Sequence, residues 1–192
     1  VRKPEKEGAM DLRSDYVVSV SDVVSGTTTH LDLTVPAPEE CGVGLIGVPA
    51  GANLDLQISL QSVSEGIFVQ GQIVTQALGQ CSRCAIDITK PMNEPIAELV
   101  FWPERRQALI SEGDDEVEDM PVIEDMHIDL ELLIRDAIVL ALPFTPLCSP
   151  DCQGLCPECG QPWKDLPAGH RYEFLNPAFS ALDALAEQMR EN

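Results

Sequence analysis

Four cysteines crowd into the thirteen residues of CSPDCQGLCPECG, residues 148–160, and a further pair stands in CSRC at Cys81 and Cys84. A CxxC turn presents two thiolates from one short loop, so two such turns can close a tetrahedral metal site with little extra ordering of the chain. The sequence supplies three pairs: Cys81 with Cys84, the wider Cys148 with Cys152, and Cys156 with Cys159. Gly160 follows the last pair, where such a turn commonly needs positive φ so that backbone N–H groups can point at sulfur. A chain built this way must fold so that its cysteine turns meet.

What the thiols do depends on where the chain lives. No apolar stretch approaches the roughly 18–20 residues that span a bilayer, and VRKPEKEGAM is charged where a signal peptide has an apolar centre. A cytoplasmic protein with no membrane association is therefore expected, and a reducing compartment favours metal binding or catalysis over disulfides. With 32 acidic and 12 basic residues, the net charge of −20 repels phosphate backbones and attracts basic partners.

Six clustered thiols are too many for one zinc and two short of two all-cysteine sites. His170, in PAGHRYE, is the nearby residue that can bring a nitrogen to a second site. The expected ligands are Cys81, Cys84, Cys148, Cys152, Cys156, Cys159 and His170, holding one or two structural zinc ions. Reach favours Cys81 and Cys84 sharing a metal with Cys148 and Cys152, while Cys156, Cys159 and His170 close locally. Two other groupings stay open: Cys81 and Cys84 with Cys156 and Cys159, or the four late cysteines alone. Cys41 has no companion at ligand spacing and reads as a small buried residue. His30 and His127 stand alone and are assigned nothing.

Along the chain, residues 1–12 read as a flexible leader, and 13–110 as a β-rich domain that includes the first cysteine pair. Leu31, Leu33 and Val35 alternate with polar residues, as do Leu54, Leu56, Ile58 and Leu60. GIFVQGQIVTQALGQ, AIDITKP and PIAELVFW are further strand-like runs bounded by Gly or Pro. Residues 111–126 read as a solvated acidic loop, with an acidic mimic of nucleic acid as the sharper alternative. Residues 127–192 carry a helix near 129–142 and the cysteine-rich module. Asp129 can cap this helix and Pro143 closes it, and apolar residues on several faces predict that it is mostly buried. Asn176-Pro177 opens a terminal helix with a stripe of Phe179, Leu182, Leu185 and Met189. The fold class is α+β: an antiparallel β-rich N-terminal half, one apolar helix, and a zinc-bound C-terminal module with a terminal helix.

No catalytic constellation is visible: HExxH, GxSxG and GxxxxGK are all absent. A redox CxxC usually opens a helix of a βαβ unit, where the helix dipole lowers the thiol pKa. Cys81 instead follows one strand-like run and precedes another, and CPECG runs into Gln161-Pro162. A zinc-finger regulator would need a basic face, but from Cys148 onward Lys164, Arg171 and Arg190 face seven acidic residues.

The order of these features resembles a family. A β-rich half, CSRC, an acidic stretch, the helix DLELLIRDAIVLALP, then CSPDCQGLCPECG and a late histidine are similar, over about residues 25–185, to the YceD-like family of bacterial large-subunit ribosomal RNA accumulation proteins, actinobacterial type. The resemblance implies a non-enzymatic ribosome biogenesis factor needed for accumulation of large-subunit (23S) ribosomal RNA. Family members often end the cysteine region with a CxC or HxH pair, where this chain has His170-Arg171-Tyr172. The usual DPR appears here as Asn176-Pro177-Ala178. Given the charge, the expected partner is a basic large-subunit ribosomal protein or an assembly factor, with weak or no binding to naked RNA and no small-molecule substrate. The alternatives are a cysteine-based redox enzyme, which disulfide-exchange assays would reveal, and a zinc-finger regulatory protein.

Overall fold

The computed structural model describes residues 10–23 and 26–171. The sequence-predicted terminal helix and most of the leader lie outside these residues. Eight strands and two α-helices follow in the order β1 (Val17–Ser19), β2 (Thr28–Pro36), β3 (Cys41–Val43), β4 (Ile46–Val48), β5 (Asn53–Ser62), β6 (Gly66–Gln80), β7 (Asp87–Phe101), α1 (Pro103–Ser111), β8 (His127–Asp129) and α2 (Glu131–Ala141). The named strands among the described residues all pair antiparallel, as the alternating apolar pattern predicts.

The fifteen-residue β6 organises the main sheet. One of its edges pairs with β5 from Ile67 to Val74 and then with β4 at Leu78 and Gly79, while its other edge pairs with β7 throughout. β2 lies outside β5, and β1 and β8 form a separate two-stranded ribbon. Leu54, Leu56, Ile58 and Leu60 of β5 point to one face with Ile67, Val69 and Ile73 of β6 and Met92, Ile96 and Val100 of β7. Complete burial of each such side chain contributes roughly 1.5–3 kcal/mol. α2 lies against β7 and β3, adding Ile134 and Ile138 to this core. Cys41 is part of the same core, 2% exposed.

Three local features differ from the sequence reading. AIDITKP and PIAELVFW are not separate strands, because β7 runs unbroken through Pro91 and Pro95. The register is continuous from Asp87 to Phe101, and Phe101 turns its N–H outward to Pro121 O at 2.9 Å. Odd-numbered residues of β7 therefore face their backbone groups away from β6, so the two prolines cost the ladder nothing. They also strip two donors from the free edge of β7, which blunts pairing with an added strand.

α1 was not expected: PERRQALIS buries no residue, and its start is marked by Pro103 in the first turn. The acidic segment is not wholly loop, because Asp115–Asp119 forms a 3₁₀ turn that buries Val117. The apolar helix is one-sided rather than mostly buried. Its N-terminus is supported by Asp129, whose carboxylate accepts the Glu131 N–H at 2.9 Å, but Leu132 is 60% and Leu140 85% exposed. Arg135 on the same helix pairs with Glu39, both side chains being largely in water, where such pairs stabilise little. Among the described residues, no helix is long and apolar enough to cross a membrane.

Candidate metal centre

The turn joining β6 to β7 is CSRCA, and it folds as a cysteine knuckle. Ala85 N–H donates to Cys81 O at 2.8 Å, Cys81 N–H donates to Ile86 O at 2.9 Å, and Ala85 has φ +57°. The turn at CPECG repeats this pattern: Gly160 N–H donates to Cys156 O at 2.8 Å, Cys156 N–H donates to Gln161 O at 2.8 Å, and Gly160 has φ +70°. Glycine takes this left-handed conformation freely, whereas alanine at the equivalent place costs roughly 1–2 kcal/mol. Each turn brings its own two thiols together, and the two turns serve different donor groups.

The wider pair comes down onto the first knuckle. Pro146 O accepts the Ser82 N–H at 2.8 Å, and Arg83 Nη1 donates to Cys152 O at 2.7 Å. Gly154, at φ +83°, lies so close to Arg83 that an added Cβ would sit 3.0 Å from the Arg83 carbonyl oxygen. Cys81 Sγ is then 3.7 Å from Cys152 Sγ, and Cys84 Sγ is 3.7 Å from Cys148 Sγ. All four sulfurs lie within 4.8 Å of one another. Four sulfurs each about 2.3 Å from a zinc ion would be separated by about 3.8 Å along the tetrahedron's edges. The donor set therefore fits a tetrahedral thiophilic metal. Disulfides do not account for the arrangement, since all seven cysteines are unbonded.

Electrostatics lead to the same fit. Burial pushes the Cys81 thiol up, but backbone hydrogen bonds from Cys148, Arg83 and Cys84, together with the Cys84 thiol, bring it down to about 6. At Cys84 the backbone of Ile86 favours the thiolate, yet burial and the neighbouring Cys81 and Cys152 raise its pKa. At Cys152 the backbone of Gly154 lowers it, while burial, Cys148 and Cys81 raise it above the ordinary value. Cys81 ionises readily while Cys84 and Cys152 resist, as expected for crowded like charges. A divalent cation held between the sulfurs would offset that repulsion.

The second group is smaller. Cys156 Sγ lies 3.2 Å and Cys159 Sγ 3.9 Å from His170 Nε2, and these three donors also fall within 4.8 Å of one another. A backbone hydrogen bond from Cys159 favours the Cys156 thiolate, burial opposes it, and His170 assists, bringing its pKa down to about 7. Trp163 meets the His170 ring edge-on with centroids 5.4 Å apart, fixing the imidazole. Cys156 is buried whereas Cys159 is exposed, so this group lies at the surface. His30 and His127 join neither group.

The structure thus gathers Cys81, Cys84, Cys148 and Cys152 at one point and Cys156, Cys159 and His170 at another, and each group could hold a metal ion. Arg83, Gly154 and Trp163 support them and were not singled out from sequence. Arg83 inside CSRC and Gly154 inside CQGLC were the visible signals, and only the fold reveals that they touch.

Comparison with known proteins places this arrangement in context. The family model described as large ribosomal RNA subunit accumulation protein YceD matches residues 69–186, from within β6 through both donor groups. The chain belongs to the YceD family. Among the relatives of this YceD-family protein, the uncharacterized proteins Mb2951c of Mycobacterium bovis and Rv2926c of Mycobacterium tuberculosis are each 39% identical over 157 residues, covering 82% of this chain and 73% of theirs. The uncharacterized protein YlbN of Bacillus subtilis is 24% identical over 136 residues, covering 70% of this chain and 73% of its own. No solved structure matches the chain.

Proposed function

We propose that this YceD-family protein is a cytoplasmic, non-enzymatic assembly factor. It would support accumulation of the large-subunit (23S) ribosomal RNA through contact with a basic large-subunit ribosomal protein or another assembly factor. The observation that carries this reading is the family match over residues 69–186, which links the chain to large-subunit ribosomal RNA. The net charge of −20 favours a protein as the direct contact, because long-range attraction to basic surfaces is accompanied by repulsion from phosphate. In this reading both donor groups hold zinc, which supplies cross-linking and shape rather than reactivity. Cys81, Cys84, Cys148 and Cys152 clamp the residues after α2 to the turn between β6 and β7.

The expected result is salt-sensitive binding to a basic large-subunit protein, with negligible retention of naked ribosomal RNA at physiological ionic strength. Tight, protein-free binding to a ribosomal RNA fragment in a gel-shift experiment would overturn it. Rapid reduction of insulin by the metal-free protein would favour a redox enzyme instead.

The two metal sites should differ in strength. Three described donors must share their metal with water or a further ligand, whereas four thiolates complete a tetrahedron. Titration with a chromogenic chelator is expected to remove zinc in two steps, the Cys156, Cys159 and His170 site emptying first. Two ions released together at one chelator concentration would contradict this order.

A further inference from the structure

The outer face of the main sheet, opposite the core, is a docking surface for a basic protein; we propose this on its charge pattern, and the choice of partner rests on the reading above. β6 and β7 run side by side so that outward residues from Phe68 to Leu78 meet outward residues from Leu99 to Thr89. Every one of these twelve positions is uncharged. Solvated surfaces usually carry roughly a quarter to a third charged residues, so about three charges would be expected there. Instead the centre is glutamine and proline: Gln72 lies between Gln57 and Pro95, and Gln76 beside Pro91. All five are exposed, and no described element covers them.

Along three strands the face is bounded by carboxylates. Asp32 and Asp55 bound the face on the β2 and β5 side, and Asp87 bounds it at the start of β7. A charge-poor centre within a charged rim is the composition of a protein–protein interface. The rim's sign selects the partner: a protein with an uncharged contact centre and lysines or arginines around it. RNA would need cations on the face for its phosphates, and the twelve positions offer none. A second copy of the chain would bring one set of rim carboxylates and a charge of −20 against another. Strand addition along β7 is disfavoured by Pro91 and Pro95, which leaves the face rather than the edge.

The test uses the full-length, metal-loaded protein and, as probe, RNA-free total protein from purified bacterial large ribosomal subunits. If the face is the contact centre, Gln72→Glu and Gln72→Arg should each lower retention of the same basic protein at least tenfold. A charge of either sign there would be desolvated without a partner. Gln107→Glu and Gln107→Arg on exposed α1 should change retention less than twofold. Circular dichroism and zinc content would confirm that all four variants fold. Wild-type binding that survives both Gln72 substitutions overturns this face while leaving the proposed function standing. No binding by the wild type overturns both. Gln72-dependent self-association in sedimentation, or cross-linking of this face to RNA, overturns the choice of partner.

Discussion

Replacing Cys84 by serine should remove one equivalent of zinc and release the polypeptide beyond α2 from the sheet. Segment 146–171 contains no α-helix or named strand and few buried apolar residues, so little else anchors it. Its ties to the β6–β7 turn are the sulfur cluster, the Ser82 N–H to Pro146 O and Arg83 to Cys152 O hydrogen bonds, a Cys148 backbone hydrogen bond to the Cys81 sulfur, and the packing of Leu147 and Gly154. A structural zinc site contributes on the order of 10 kcal/mol to folding of the chain around it. A few hydrogen bonds, at about 1 kcal/mol each, cannot replace that. Amide exchange in this segment should accelerate at least a hundredfold in Cys84→Ser, while the amides of β5 and β6 keep their protection. Cys159→Ser should lose the other zinc and leave Cys148 and Cys152 held, and Cys41→Ala should retain both ions because Cys41 belongs to the core. Loss of the same single zinc from Cys84→Ser and Cys159→Ser would mean that the donors are grouped differently.

How far such a site can be read from sequence depends on the distance over which its parts interact. The alternation of Leu31, Leu33 and Val35, and of Leu54 through Leu60, marks β2 and β5 because a half-buried strand has period two wherever it lies in the sheet. A proline ordinarily breaks a ladder, so the sequence predicts two strands where β7 runs, and only the register shows that Pro91 and Pro95 fall on the outward-facing parity. β1 and β8 are three residues each and have no readable period; they exist because they pair with one another. Sequence locates α2 to within two residues, yet its apolar composition predicts a mostly buried helix, while the fold leaves Leu132 and Leu140 in water. For the two donor groups, the residue types and local spacing are legible in the sequence. The approach of Cys148 and Cys152 to a turn more than sixty residues earlier was a matter of reach, with other groupings open. It is resolved in the structure by Arg83 and Gly154, whose contact depends on the long β6–β7 hairpin arriving where α2 ends.

That hairpin depends in turn on β5 and β6 lying unusually close, and the substitution Gly71→Ala is expected to break their fit. Gly71 sits opposite Ile58 in the register. A Cβ at this position would lie 2.1 Å from the Gln57 carbonyl oxygen and 2.8 Å from Ile58 Cα. Both are backbone atoms, so no side-chain rotation relieves the clash; the strands must part, and with them the packing of Ile58, Val69 and Ile73. Overpacking of a core commonly costs about 1–3 kcal/mol, and a backbone collision belongs at the upper end of that range, at about 3 kcal/mol. In a domain of this size each kcal/mol lowers Tm by roughly 2–4 °C, so a fall of about 10 °C is expected. Gly113→Ala provides the comparison. Gly113 has φ +96° with nothing within 4 Å of its would-be Cβ, so this variant carries conformational strain without a collision. It should lose only about 1 kcal/mol. Melting curves of both metal-loaded variants separate the two causes. If Gly71→Ala melts within 2 °C of the parent protein, the strands tolerate a methyl group between them, and close approach is not what positions the Cys81 and Cys84 turn.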